Sequence, residues 1–86
     1  MPYTVSINPK AEKFLAAVRD AKLYRRLRKA VDELSFAPRP VGCLKMQGDQ
    51  ELYRIRVGDY RIIYEVRDRQ LVVLVVRIGN RREVYQ

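Results

Sequence analysis

No histidine occurs in this chain of 86 residues. That absence excludes a histidine general base, a histidine-ligated zinc site and the Ser-His and Cys-His nucleophile pairs. Cysteine is nearly as scarce. Cys43 stands alone, so no internal disulfide can form, no multi-cysteine metal site exists, and its expected place is that of a small buried apolar residue. No metal and no other cofactor is expected. The longest uninterrupted apolar run, Leu71 to Val76, falls far short of the roughly 20 residues that a membrane helix needs. No basic region with an apolar stretch and a small-residue cleavage site precedes the first strand-like residues, so a cytoplasmic location with no membrane contact is expected. Negative charge is also short: 10 Asp and Glu stand against 18 Lys and Arg, a formal net charge of +8. Such a balance favours an anionic partner such as nucleic acid, an acidic protein or an anionic membrane surface.

What is present is arginine, and it is concentrated in the second half. Leu52 to Tyr64 reads as a β-hairpin, with two runs rich in Tyr, Ile and Val flanking Gly58-Asp59, a pair that suits a two-residue type II′ turn. Closing the hairpin there sets Val57 opposite Tyr60, Arg56 opposite Arg61, Ile55 opposite Ile62, Arg54 opposite Ile63 and Tyr53 opposite Tyr64. Alternation then gives one apolar face (Tyr53, Ile55, Val57, Tyr60, Ile62, Tyr64) and another that carries Arg54, Arg56 and Arg61. Like charges directly opposite one another on adjacent strands cost stability, and binding a polyanion would supply the reason for keeping them.

The rest of the chain supplies a frame for that hairpin. Tyr3 to Ile7 is a short strand. Asn8 caps and Pro9 opens a helix whose stripe is Phe14, Leu15 and Val18, ending at Arg19 or Asp20. Asp20 caps a second helix with Leu23, Leu27, Ala30, Val31 and Leu34 on its apolar side. Lys22, Arg25, Arg26, Arg28 and Lys29 take the other positions, which reads as a solvated face. Ala37-Pro38-Arg39-Pro40 ends the helical region. Gly42 to Met46 is a further short strand, Gln47-Gly48-Asp49 a turn, Glu51 to Val57 and Tyr60 to Arg67 the hairpin strands, and Arg67 to Gln70 the next turn. Leu71 to Ile78 is a strand so uniformly apolar that a central place buried on both faces is expected. Its uniformity hides its parity and leaves open the face that Arg77 joins. One α+β domain over residues 1–86 follows, with two N-terminal helices packed on one face of a small twisted, mainly antiparallel sheet whose other face is open and basic.

Beyond the last strand, Gly79-Asn80-Arg81-Arg82-Glu83-Val84-Tyr85 adds two arginines and an aromatic ring. Together with Leu52 to Tyr64 and Leu71 to Gly79, this segment resembles the RelE/ParE superfamily of toxins from bacterial and archaeal toxin–antitoxin pairs. The closer resemblance is to the RelE branch of ribosome-dependent messenger-RNA endonucleases, and it spans essentially the whole chain. It implies a RelE-like fold, a bacterial or archaeal cytoplasm, cleavage of mRNA in the ribosomal A site, and a cognate antitoxin that neutralises the toxin in a hetero-oligomer. Carried over by position, Arg54 and Arg56 fall where RelE enzymes often have lysine, and Arg61, Arg81 and Tyr85 match family positions. The residues expected to be catalytic are therefore Arg56, Arg61, Arg81 and Tyr85, with Lys45, Arg54, Arg77 and Arg82 binding RNA. Two departures stand out. Arginine at both lysine positions cannot act as a base, since guanidinium keeps its proton above a pH of about 12. The sequence also stops at Gln86, where many relatives add a C-terminal helix. Two alternatives stay open: a ParE-like toxin that inhibits DNA gyrase by protein contact, and an RNA-binding module that does not cut.

Overall fold

The computed structural model describes residues 2–48 and 51–80. Its elements are β1 (Thr4–Ile7), α1 (Pro9–Ala17), α2 (Ala21–Glu33), β2 (Leu44–Lys45), β3 (Leu52–Val57), β4 (Tyr60–Arg67) and β5 (Val72–Asn80), with a 3-10 turn over Asp68–Gln70. Both helix starts follow from their caps. The Asn8 side chain accepts from the Ala11 N–H at 2.9 Å, and Asp20 accepts from the N–H groups of Lys22 and Leu23 at 3.0 and 3.2 Å. α1 stops at Ala17, short of the expected Arg19 or Asp20, because Asp20 must be extended (φ −75°, ψ 109°) to cap α2.

The strands form one five-stranded sheet in the order β1-β5-β4-β3-β2, with β1 parallel to β5 and every other pair antiparallel. The hairpin register is the expected one, pair for pair, from Tyr53↔Tyr64 to Val57↔Tyr60. Gly58 takes φ +61° while Asp59 does not enter the left-handed region, as a type II′ turn requires. The strand near Cys43 shrinks from the expected Gly42–Met46 to Leu44–Lys45, and Cys43 is only partly buried at the edge of the core.

The helices cover one face of the sheet. Leu15 of α1, Leu27 and Val31 of α2, and Leu34 at its C-terminal cap are almost completely buried against Tyr53, Val57, Ile62, Tyr64, Val66, Val73, Val75 and Ile78. Each such aliphatic side chain contributes about 1.5–3 kcal/mol by leaving water. Phe14 and Val18 pack at the margin, and the Phe14 ring meets that of Tyr60 at 6.0 Å between centroids. Among the described residues, no helix is long and apolar enough to cross a membrane.

β5 corrects one expectation. It lies inside the sheet, between β1 and β4, yet only its helix-side residues Val73, Val75 and Ile78 are buried side chains of the core, while Val72, Leu74 and Val76 are half-buried. With both helices on one side, nothing described packs a second layer over the other. The strand also breaks parity. Pairing with β4 steps from Tyr64↔Val75 to Ile63↔Arg77, so Val76 is the extra residue of a β-bulge. Asn8 helps to hold that bulge: its side-chain amide donates to the Val76 carbonyl at 2.8 Å, and its backbone N–H donates to the Val75 carbonyl at 2.9 Å. One residue thus caps α1 and fastens it to the bulged strand.

Candidate functional site

The bulge decides the composition of the open face. Unbroken alternation after Val73 and Val75 would point position 77 into the core. The extra residue instead places Ile78 there and brings Arg77 level with Ile63 on the side away from the helices. Pairing across the strands then sets two rows on that face. The first runs Arg56, Arg61, Gly79, and the second Leu44, Arg54, Ile63, Arg77. Four arginines from three strands therefore surround Ile63, which is 7% exposed, and Gly79, which brings no side chain to its place beside Arg61.

Arg56 and Arg61 are directly opposed on β3 and β4, and among the described residues neither meets a carboxylate. What they do touch is backbone oxygen. Arg56 Nε donates to the Gly58 carbonyl at 3.0 Å, and an Arg61 nitrogen donates to the Tyr60 carbonyl at 3.3 Å. By contrast, Arg67 farther along β4 is paired with Glu65 at 2.7 Å. Charge on this face is thus neutralised toward one end of the hairpin and left available at the turn end. A third guanidinium reaches the same turn from α2: the Arg26 nitrogens lie 3.5 and 3.6 Å from the position a Cβ of Gly58 would occupy. Sequence pattern placed Arg26 only on a solvated helix face, and nothing in its spacing shows that it crosses to the hairpin.

Lys45 lies elsewhere. It stands opposite Tyr53, on the parity of the helix side, and its Nζ is 3.2 Å from a Glu51 carboxylate oxygen. A strand of two residues has no alternation from which that face could be read. Lys45 belongs to a second polar network that the sequence reading missed. There the Arg39 guanidinium donates to both Asp68 oxygens at 3.1 and 2.8 Å and to the Tyr53 hydroxyl at 2.9 Å, and its carbon sits 5.0 Å above the Tyr53 ring. Tyr3 donates to Asp68 at 2.7 Å and Tyr53 donates to Glu51 at 2.9 Å. The Arg39 fork, and after it the Tyr3 hydroxyl, hold the Asp68 carboxyl at about 2, well below the usual carboxylate range. The Tyr53 hydroxyl and then Lys45 lower that of Glu51. Nearby, the Tyr64 hydroxyl donates to the Pro38 carbonyl at 2.7 Å, and burial pushes its phenol above its ordinary value. These contacts fasten the Pro38–Pro40 segment across the sheet. Their acids are engaged, so they offer no free proton acceptor to the basic face.

Of the other expected site residues, Arg81, Arg82 and Tyr85 lie outside the described residues.

The family described as ParE toxin of type II toxin–antitoxin system matches residues 5–85. Toxin RelG of Mycobacterium tuberculosis is 28% identical to this chain over 86 residues, covering 100% of the chain and 99% of the relative. Among solved structures, an archaeal RelE in complex with RelB from Pyrococcus horikoshii superposes with a TM-score of 0.78 at 35% identity, covering 94% of this chain and 97% of the other. The isolated Escherichia coli RelE toxin superposes with a TM-score of 0.78 at 29% identity, covering 96% and 90%.

Proposed function

The chain belongs to the RelE/ParE superfamily of type II toxin–antitoxin toxins, and from that premise we propose that it is an endoribonuclease that cleaves mRNA in the ribosomal A site in the cytoplasm. The observation that carries this reading is the opposed pair Arg56 and Arg61 on the open sheet face, flanked by Arg54 and Arg77 and without a carboxylate at either centre among the described residues. Holding like charges together costs stability, and a phosphate between them repays that cost.

The chemistry asks little of the protein. RNA carries its own nucleophile, the 2′-hydroxyl, and a catalyst must align it with the adjacent phosphorus, stabilise the charge that accumulates there and help the 5′-oxygen leave. Arg61 and Arg56 grip the scissile phosphate and stabilise its transition state, while Arg54 and Arg77 hold the flanking backbone. Arg81 takes the place near the leaving oxygen. Tyr85 stacks on a base, or accepts a proton once Arg81 and Arg82 lower its pKa from about 10. No histidine or lysine base is present on this face, so intrinsic cleavage is weak and the ribosome supplies geometry. The products are a 2′,3′-cyclic phosphate and a 5′-hydroxyl. In the resting cell a cognate antitoxin covers the basic face, as a RelB chain accompanies the archaeal RelE.

Mapping 5′ ends of cellular RNA after induction tests the reading, which expects new ends inside translated codons. A second reading, direct inhibition of DNA gyrase, is favoured by the match to a family described as ParE toxin. A supercoiling assay separates the two: inhibited gyrase with unaltered RNA ends would establish the second and overturn the first.

A further inference from the structure

The open face does not stop at the hairpin turn. Arg26 of α2 is exposed, its guanidinium nitrogens lie 3.5 and 3.6 Å from where a Cβ of Gly58 would stand, and it has no carboxylate partner among the described residues, whereas its neighbours Arg28 and Lys29 are paired with Asp32 and Glu33 at 3.5 and 3.9 Å. From the sheet side, Arg56 approaches the same residue and donates to the Gly58 carbonyl. Cations from a helix and from a strand thus converge on one turn, and the glycine between them brings no side chain that would separate them. We propose that Arg26 is a further phosphate-binding residue, which carries the anion track from Arg61 and Arg56 around the hairpin turn to α2 and binds the RNA backbone next to the cleaved step.

The inference rests on the RNA-cleaving reading above and adds to it a contact that bears on binding alone. Exposed guanidinium groups bind phosphate without regard to base, so Arg26 adds affinity and salt dependence rather than sequence preference. Its partner is the sugar-phosphate backbone of a single strand, whose path over Arg61 and Arg56 leads past the turn.

The experiment measures binding of the full chain to a non-cleavable 2′-deoxy-substituted single-stranded oligonucleotide across a salt series. The variants are Arg26→Met, which keeps an aliphatic stem over the turn and removes the charge, and Arg26→Lys, which keeps the charge. Lys29→Met is the control, since it removes a cation already paired with Glu33. Melting curves accompany each, and Arg26→Gln replaces the methionine variant should that one unfold. Expected for Arg26→Met is a log-log salt slope shallower by about 0.7, the share of one phosphate on a single strand, with affinity at low salt reduced roughly two- to fivefold. Arg26→Lys and Lys29→Met should keep the wild-type slope. A wild-type slope in a folded Arg26→Met protein would overturn the assignment and leave Arg26 as a cover for the turn. Absence of salt-dependent binding by the wild-type chain would instead overturn the RNA reading on which it rests.

Discussion

Replacing Arg61 by alanine should abolish toxicity and leave the fold intact. In the sheet Arg61 faces Arg56 on one side and Gly79 on the other, and among the described residues its guanidinium makes one long hydrogen bond, at 3.3 Å, to the Tyr60 carbonyl. Loss of that bond, long and weak, costs about 0.5 kcal/mol, the low end for a hydrogen bond, and alanine is a poorer strand residue by a similar amount. Relief of the repulsion between opposed arginines returns about 0.2–1 kcal/mol. The two sides cancel to within roughly 0.8 kcal/mol, which for a domain of this size moves the melting temperature by no more than about 6 °C. The catalytic consequence is much larger. A donor aimed at developing charge in the transition state is worth about 10²–10³ in rate, by analogy with an oxyanion-hole donor. The assay is paired: a melting curve on the purified variant, and growth of bacteria that express it. A folded and fully toxic variant would reduce the arginine face to ordinary surface. A variant that melts far below the wild type would show that Arg61 holds the sheet together, contrary to its sparse contacts.

Asn8→Asp should keep the α1 cap, since a carboxylate oxygen can still accept from Ala11, but lose the donor to the Val76 carbonyl at the bulge. An unmatched carbonyl facing a carboxylate costs about 1–3 kcal/mol, seen as a lowered melting temperature, and an unchanged one would mean that the bulge is held by other contacts. The Asp68 carboxyl titrates near 2 when folded against 3.8 unperturbed. What its network contributes is therefore fully present above about pH 4 and is lost as pH falls through 2. The gap in melting temperature between wild type and Asp68→Asn should accordingly narrow from pH 5 to pH 2, whereas parallel curves would rule out a role for this carboxylate. Co-purification from the native operon should recover the chain with an acidic antitoxin in a complex that resists moderate salt. Recovery of the chain alone from healthy cells would count against a toxin.

Legibility followed the length of the repeating pattern. The hairpin could be read pair by pair because thirteen residues alternate around one glycine turn, from Leu52 to Tyr64, and the structure keeps every pairing. Asn8 and Asp20 were readable as caps because their oxygens act within a few residues along the chain. β5 was not, for two reasons: valine and leucine fill both of its faces, and the bulge at Val76 shifts parity midway, so no period predicts where Arg77 points. The face of Lys45 depends on a strand too short to have a period. The bonds from Arg39 and Tyr3 to Asp68 join residues 29 and 65 apart, and the approach of Arg26 to Gly58 depends on how a helix is set against the sheet. Local chemistry leaves no trace of such contacts in the sequence. The resemblance to RelE toxins gave the family and marked Arg56 and Arg61, but it did not yield Arg26.

The most direct test of RNA cleavage by 2′-hydroxyl attack is a ribosome programmed with two messages, identical except for one 2′-deoxy nucleotide 5′ to the scissile phosphate in the A-site codon. With the purified toxin, the all-ribose message should be cut in that codon to a 2′,3′-cyclic phosphate and a 5′-hydroxyl, and the substituted message should remain whole at that position. Equal cutting of both messages would contradict attack by the substrate's own hydroxyl and require an activated water, for which the described residues of this face offer no carboxylate but Glu65, already paired with Arg67.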